Sequence, residues 1–336
     1  MSMLQVQEAG PYTSVQDRGR FGGQRYGLGP AGAMDVFSLG VANALVGQPV
    51  GAAAIEIGPL PARFTAVGGV VRFAVAGATR GMTVQGRAVQ PNETVLLAEG
   101  ESLTLRAANS GVFSYLALEG GIKAPPVFGS LSVHQRSAIG SPYPRALLAG
   151  DTLDTGDAGA WEAECSISPP SRPQGPLRVV LGPQDDHFDE EAVATFLTAE
   201  WKISATSDRM GYRLEGPKLA HARSANIISD GIAFGSVQIP GNGQPLLLLA
   251  DRGTTGGYPK MATIITADLG RLAQIPVGSL LRFTAVSIGE AQAEARAHAA
   301  RIAALPQAVR AIGGGGLSAE FLLGANLAGH VTDAFD

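Results

Sequence analysis

Residues 63–78, RFTAVGGVVRFAVAGA, decide the fold class together with TVQGRAV (83–89), TVLLAEGESLTLRAA (94–108) and GVFSYLALEGG (111–121). Valine, phenylalanine, threonine, tyrosine and leucine recur in short runs, which is strand composition. Breaks are expected at Gly68-Gly69, Gly81, Pro91-Asn92, Gly100 and Asn109-Ser110-Gly111. Short strands punctuated this closely indicate a barrel or sandwich.

Upstream, LQVQ (4–7) alternates and suits an opening strand. The segment Gly10 to Gly22 places Gln16, Asp17 and Arg20 between glycines that prevent a long helix. It is either a turn pinned by an Asp–Arg pair or part of a site. From Met34 the chain reads MDVFSLGVANALVG. Val36, Leu39, Ala42, Leu45 and Val46 keep helical spacing, and Gly47 is a suitable stop. Asn43 falls inside this helix, where it either holds a loop carbonyl or faces a ligand. In the strand AIEI (54–57), Glu56 is either on the solvent face or functional, because a lone buried carboxylate is costly.

Downstream, LLAGDTL (147–153) returns to strand, and 157–175 is rich in Pro, Ser, Gly and Ala. That composition marks a linker. LRVVL (177–181) is a strand. Asp189 then caps a helix with Glu190 and Glu191 in its first turn. His187 beside Asp185 and Asp186 reads as helix entry, since three ligands so close in sequence rarely converge on one ion. Asp208, Arg209 and Arg213 surround a glycine turn. Residues 290–305 are Ala-rich and helical, 313–316 read as a glycine hinge, and a partly apolar tail begins at Leu317.

The densest chemistry is LLLLADRGTTGGYPK (246–260). A buried-strand run of leucines turns abruptly into Asp251, Arg252, Thr254, Thr255, Tyr258 and Lys260, spaced by Gly253, Gly256 and Gly257. Hydroxyls, backbone N–H groups and an ammonium suit an anionic or carbonyl oxygen. The alternative is a glycine-rich hairpin with a solvated rim. The Walker A spacing is absent.

The chain has 336 residues, enough for two ordinary domains. It holds 45 glycines, near twice the usual share, and 21 prolines without a collagen period. This fits many tight turns between short strands. A net charge of −4 provides no basic field for nucleic acid. Cys165 is the sole cysteine, so neither an internal disulfide nor a cysteine metal set is available. No basic-then-apolar leader and no 18-residue apolar stretch is visible, so neither a signal peptide nor a membrane partner is expected and the cytoplasm is the default.

Six motifs carry a resemblance: TSVQDRGR (13–20), GAMD (32–35), ANALVG (42–47), SDRMGYRL (207–214), GSVQIP (235–240) and DRGTTGGYPK (251–260). Together they resemble the carboxyltransferase-domain family, which includes allophanate-hydrolase-type subunit 2, the C subunit of 5-oxoprolinase, the antagonist of the Kip kinase inhibitor and the carboxyltransferase part of urea carboxylase. The resemblance implies a mainly β chain with two cyclophilin-like β-barrels and a few short helices. The expected division is an N-terminal barrel over 1–165, a linker over 166–176, a C-terminal barrel over 177–288 and a helical tail over 289–336. The chain departs from the family pattern at Val133 and Ser141, where a hydroxyl residue and a glycine are usual.

The resemblance implies a component of an ATP-dependent 5-oxoprolinase, with ATP and magnesium acting at the level of a complex. Its partners would be a subunit-1-like protein, a third lactam-utilisation subunit and a small amide or lactam substrate. Asp208, Asp251, Lys260 and Tyr258 are the candidate catalytic residues. Gln16, Asp17, Arg20, Asp35, Asn43, Arg209, Arg213, Gln238, Thr254, Thr255, Gly256 and Gly257 are the candidate substrate-binding residues, and no metal ligands are assigned. Lys260, Arg209, Arg213 and the 254–257 backbone would meet phosphoryl charge. The alternatives are a biotin-dependent urea or amide carboxyl transfer and a non-enzymatic antagonist of a kinase inhibitor. Biotin would have to come from elsewhere, because Pro259-Lys260-Met261 is not an attachment motif.

Overall fold

The computed structural model describes residues 2–156 and 163–312. The glycine hinge at 313–316, the tail from Leu317 and part of the expected linker, 157–162, lie outside the described residues.

The chain is mainly β, as its strand patterning requires. The first large sheet contains β1 (Met3–Glu8), β2 (Ser14–Gln16), β3 (Ala54–Ile57), β4 (Ala62–Val67), β5 (Val71–Val84), β6 (Arg87–Val89), β7 (Thr94–Leu97), β8 (Ser102–Leu118) and β9 (Thr152–Asp154). Its spine runs β2-β3-β8-β4-β1-β9, with β5 pairing β6, β7 and β8, all antiparallel. The expected breaks at Gly81 and at 109–111 are instead bends inside long strands. β5 and β8 stay paired through them by shifting register between Gly77 and Met82. Gly77 is required there: its φ is +114°, and a Cβ would lie 2.4 Å from the Phe113 carbonyl oxygen. The bends let one half of β8 pair with β4 and the other with β3.

A short strand, β10 (Cys165–Ser166), follows. The second large sheet contains β11 (Leu177–Leu181), β12 (Trp201–Ile203), β13 (Gly211–Glu215), β15 (Ser236–Gln238), β16 (Leu246–Leu248), β18 (Lys260–Ile264), β19 (Leu280–Leu281) and β20 (Phe283–Ala285). Its order is β19-β12-β13-β16-β15-β18-β11-β20. Among the described strands of this sheet only β11 and β20 pair in parallel. β14 (Asp230–Gly231) and β17 (Thr255–Gly256) form a separate ribbon, and β21 (Arg310–Ala311) pairs with β10. The two large sheets curve into a half-barrel and a nearly closed barrel.

The helices are α1 (Val36–Leu45), α2 (Glu190–Thr198), α3 (Leu269–Ala273), α4 (Ile288–Ala303) and α5 (Leu305–Ala308). Every residue of α1 from Phe37 to Leu45 is buried. A helix buried all round must be covered on all sides. β5 and β8 cover one flank of α1, and α3, α4 and α5 the others. One apolar cluster fills the first sheet around Phe64, Phe73 and Leu116. The other joins α1 and Tyr115 to Trp201, Phe196, Leu247 and Met261 of the second half. α1 is therefore shared between the halves, and the loop preceding it is held where they meet. Asp35 caps the helix, its Oδ1 accepting from Ser38 N at 3.2 Å. α2 opens as its sequence indicates, with Asp189 accepting from Ala192 N at 2.8 Å.

Candidate functional site

The strand ends and loops facing the junction carry the polar residues. A cleft of about 200 Å³ is lined from the first half by Tyr12, Gln135 and Arg136 and from the second by Asp208, Arg209, Met210 and Asp251. Its floor is a buried charge cluster. Arg209 Nε and Nη2 donate to the two oxygens of Asp251 at 2.9 and 3.0 Å. Nη2 also reaches the Gly32 carbonyl at 2.8 Å, and Nη1 donates to Glu56. Glu56 comes from β3 and accepts from Tyr115 Oη at 2.7 Å and from Met34 N at 2.9 Å. Tyr115 Oη in turn accepts from Asp35 N at 2.8 Å.

The electrostatics follow from burial. Burial raises the Glu56 carboxyl above its ordinary range, although the Arg209 charge, the Tyr115 hydroxyl and the Met34 N–H pull the other way. Burial also pushes Tyr115 well up, and the Glu56 and Asp35 charges reinforce this. For Arg209 burial favours the neutral form, but Asp251 and Glu56 outweigh it and hold the guanidinium firmly charged. The sequence left Glu56 open as a solvent-facing or functional residue; it is 0% exposed and central. The charge inside a short apolar strand was the available signal. Its partner lies 153 residues away, which local pattern cannot disclose.

The expected site residues fall into several groups. Arg209 and Asp251 stand together in the cluster. Asp208 lines the cleft beside them, its Oδ1 spent on Met210 N at 2.8 Å and Gly211 N at 3.2 Å. Arg213 is exposed on β13. Gln16, Asp17 and Arg20 group around 130–133. Asp17 accepts from Ser130 Oγ, Ser132 Oγ, Gly19 N and Leu131 N at 2.5–2.8 Å, so it fixes that divergent loop. Gln16 Nε2 donates to Ser14 Oγ and the Val133 carbonyl, both at 2.9 Å. The Asp35 side chain points away from the cluster, toward Arg172 at 2.5 Å and Gln274 at 2.9 Å. Asn43 holds a loop carbonyl, that of Ala52, at 2.8 Å.

The glycine-rich loop does not deliver all its polar side chains to one place. Asp251 faces the cleft, but Lys260 turns the other way. Its Nζ donates to Asp230 at 2.6 Å and to the Gly231 carbonyl at 3.2 Å. Tyr258 is 40% exposed. Gln238 Nε2 bonds the Tyr258 carbonyl at 3.2 Å. Thr254 is half-buried, and its carbonyl accepts from Ile232 N at 3.1 Å. Thr255 and Gly256 form β17, and the Gly257 carbonyl accepts from Ile227 N at 2.9 Å. Gly256 is there for close approach, since a Cβ would lie 2.6 Å from both Gln238 Nε2 and Ile232 Cδ1. These residues close a hairpin around Asp230 and do not line the cleft. The buried Lys260 ammonium is committed to Asp230, which lies 2.6 Å from it.

Arg209 and Lys260 have donors committed to protein partners, and Arg213 stands by itself on the surface. The three cations expected to meet phosphoryl charge therefore do not converge at the cleft, and no step through a nucleotide is placed on them. No group of three or more His, Cys, Asp or Glu able to hold a metal ion occurs among the described residues.

The family model for the carboxyltransferase domain, subdomain A and B, matches residues 26–285. The chain is 39% identical over 291 residues to the C subunit of 5-oxoprolinase of Escherichia coli (strain K12), a match covering 86% of this chain and 93% of the relative. It is 36% identical over 293 residues to the C subunit of 5-oxoprolinase of Haemophilus influenzae, with the same coverage. The K. lactis urea amidolyase superposes with a TM-score of 0.82 at 27% identity, over 90% of this chain but 20% of that one. With the family model spanning most of the sequence and two relatives matched nearly end to end, the chain belongs to the carboxyltransferase-domain family, subdomain A and B.

Proposed function

We propose that this chain is the C subunit of an ATP-dependent 5-oxoprolinase complex and helps open the lactam of 5-oxoproline to glutamate. The observation that carries this reading is coverage: relatives named as the C subunit of 5-oxoprolinase match 86% of the chain and are themselves 93% covered. The urea amidolyase likeness covers only 20% of a much longer protein. It favours a second reading, a carboxyltransferase component of a biotin-dependent urea or amide carboxylase. The partners in the first reading are a subunit-1-like protein and a third lactam-utilisation subunit, and the nucleotide is held elsewhere in that complex.

An amide carbon is a poor electrophile, so ring opening needs activation of the lactam oxygen, which ATP supplies in the complex. This chain contributes an oriented carboxylate at the cleft. Arg209 fixes Asp251 through both of its oxygens, and a carboxylate offers about four acceptor sites, so each oxygen keeps capacity for a water proton. Asp251 then orients the attacking water and takes its proton as the carbonyl carbon is attacked; the ring C–N bond breaks and that proton passes to the departing nitrogen, which becomes the amine of glutamate. Glu56 and Arg209 hold the carboxylate in place and do not touch substrate. The test is glutamate formation from 5-oxoproline and ATP by the chain reconstituted with its partner subunits. No glutamate, with carboxylation of urea by a biotin-carrying partner instead, would move the assignment to the second reading.

A further inference from the structure

Arg20 is a buried cation with unused donors. It is 2% exposed, and its Nε and Nη1 have no hydrogen-bond partner among the described residues. Its Nη2 donates to the Ser132 carbonyl. That costs one of the two Nη2 protons. Whichever proton is used, one edge of the guanidinium keeps a fork of two free donors, either Nε with Nη2 or Nη1 with Nη2. Asp17, three residues away in sequence, has its oxygens occupied by four other donors and makes no ion pair with Arg20. An unpaired buried guanidinium is costly, and each such group in a native structure requires a reason. Burial lowers its proton affinity, and the Asp17 and Asp251 charges offset part of this. The second of those names ties Arg20 electrostatically to the cleft.

The segment is built to hold the group where it is. Arg20 N donates to the Pro30 carbonyl at 2.8 Å and Ala33 N to the Asp17 carbonyl at 2.9 Å. Arg20 lines a groove of about 670 Å³ whose walls are Phe21, Tyr26, Leu28, Phe128 and Ile139. Among the described residues of that lining it is the only charged one. One cation in an apolar groove selects a monoanion with an apolar body. A phosphate, with two charges and three acceptor oxygens, would leave most of its valence unmet.

We propose that Arg20 is the carboxylate-recognition residue of the chain, holding the single carboxylate of a small lactam acid whose ring lies against the apolar walls of the groove. The inference rests on the lactam-opening reading. It makes Arg20 the residue that separates a carboxylate-bearing lactam from neutral amides such as urea, and the arginine fork is the natural match for a carboxylate.

The experiment is calorimetric titration of the chain assembled with its partner subunits, using L-5-oxoproline and 2-pyrrolidinone, the same ring without the carboxylate. The wild type is expected to prefer 5-oxoproline by roughly 10- to 100-fold, the range for a hydrogen-bonded charged group. R20M should erase that preference by weakening 5-oxoproline alone, and R20K should restore part of it. A melting temperature for each variant separates loss of the subsite from loss of the fold. R20M weakening both ligands equally, or neither, overturns the inference and leaves the lactam-opening reading standing. Wild-type binding of neither ligand overturns both. An R20M complex that dissociates while the free chain still discriminates between the two ligands would place a partner's carboxylate on Arg20, and that also overturns the inference.

Discussion

Replacing Arg209 with Met tests whether the floor of the cleft is a single electrostatic unit. The change keeps much of the aliphatic stem and removes the guanidinium. It strands Glu56, 0% exposed, and Asp251, 6% exposed, without a cation. Breaking a buried pair by deleting one partner costs about 3–5 kcal/mol, because the surviving charge stays desolvated. Glu56→Gln should cost far less, about 1–2 kcal/mol, since Arg209 keeps both contacts to Asp251 and the contact to Gly32. The double variant removes the deeper stranded charge, so its loss should fall about 2 kcal/mol short of the sum of the two single losses. The penalty also has a pH sign. Burial already raises the Glu56 carboxyl, and Arg209 is the largest influence lowering it. Without Arg209 it rises further. A carboxyl raised in the folded state is unpenalised below its unfolded value, and stability is lost as pH rises through the folded value. The Arg209→Met deficit should therefore be small near pH ~4 and large at pH ~7.5. Urea denaturation followed by tryptophan fluorescence reads this directly, because Trp201 is fully buried in β12. A deficit under about 1 kcal/mol at pH ~7.5, or additivity within about 0.5 kcal/mol, would refute the reasoning.

Asp251→Asn should lower turnover of the reconstituted complex by roughly 100- to 1,000-fold, as expected for loss of a general base, at a stability cost of about 1–2 kcal/mol because Arg209 keeps Glu56 and the Gly32 carbonyl; unchanged glutamate release would remove Asp251 from that role. Lys260→Met should move the urea midpoint only slightly, because it frees an Asp230 that water already reaches, and should leave turnover within roughly threefold. A collapse of turnover with stability intact would instead put Lys260 at the reacting centre. Asp35 and Asp268 are held below the usual carboxylate range: burial opposes this in both, but Arg172, Gln274 and Ser38 prevail at Asp35, and Arg178 and Arg271 at Asp268. Their contribution is full above the ordinary aspartate value and is lost as pH falls through the lowered ones. Urea midpoints between about pH 6 and 3 should therefore drop less steeply in Asp35→Asn than in the wild type, and parallel curves would contradict the assignment.

Where the deciding interaction is local, the sequence was readable. Strand composition between glycine breaks marked most of the first sheet, the apolar spacing after Asp35 marked α1, and Asp189 with two glutamates marked the start of α2. The bends in β5 and β8 were not readable, because a glycine that ends a strand and one that lets it bend look the same without the partner strand. The site divides in the same way. DRGTTGGYPK was legible as a polar loop, but which side chains faced the cleft was set by distant partners. Lys260 found Asp230, 30 residues back, and Asp251 found Arg209, 42 back. Glu56 announced itself only as a misplaced charge in AIEI.

The buried arginines show how structural and ligand-facing cations separate. Arg209 is saturated by two carboxylates and a carbonyl, so it works as a rivet between the halves. Arg80 donates to the carbonyls of Gly58, Leu60 and Arg106, and burial brings it down to about 10. Arg252 is also brought down to about 10 by burial; it donates to the carbonyls of Ile232 and Leu249 and lies 5.8 Å from the Phe234 ring. These two tie loops to the sheet with donors spent on backbone carbonyls. Arg20 has one carbonyl, a free donor fork and a place in the lining of an apolar groove. Arg80 also keeps its Nε without a hydrogen-bond partner, so what sets Arg20 apart is that two of its three nitrogens, Nε and Nη1, have none among the described residues. Its unspent capacity, against an Arg209 whose three nitrogens all have protein partners, is what assigns anion recognition to Arg20 and carboxylate positioning to Arg209.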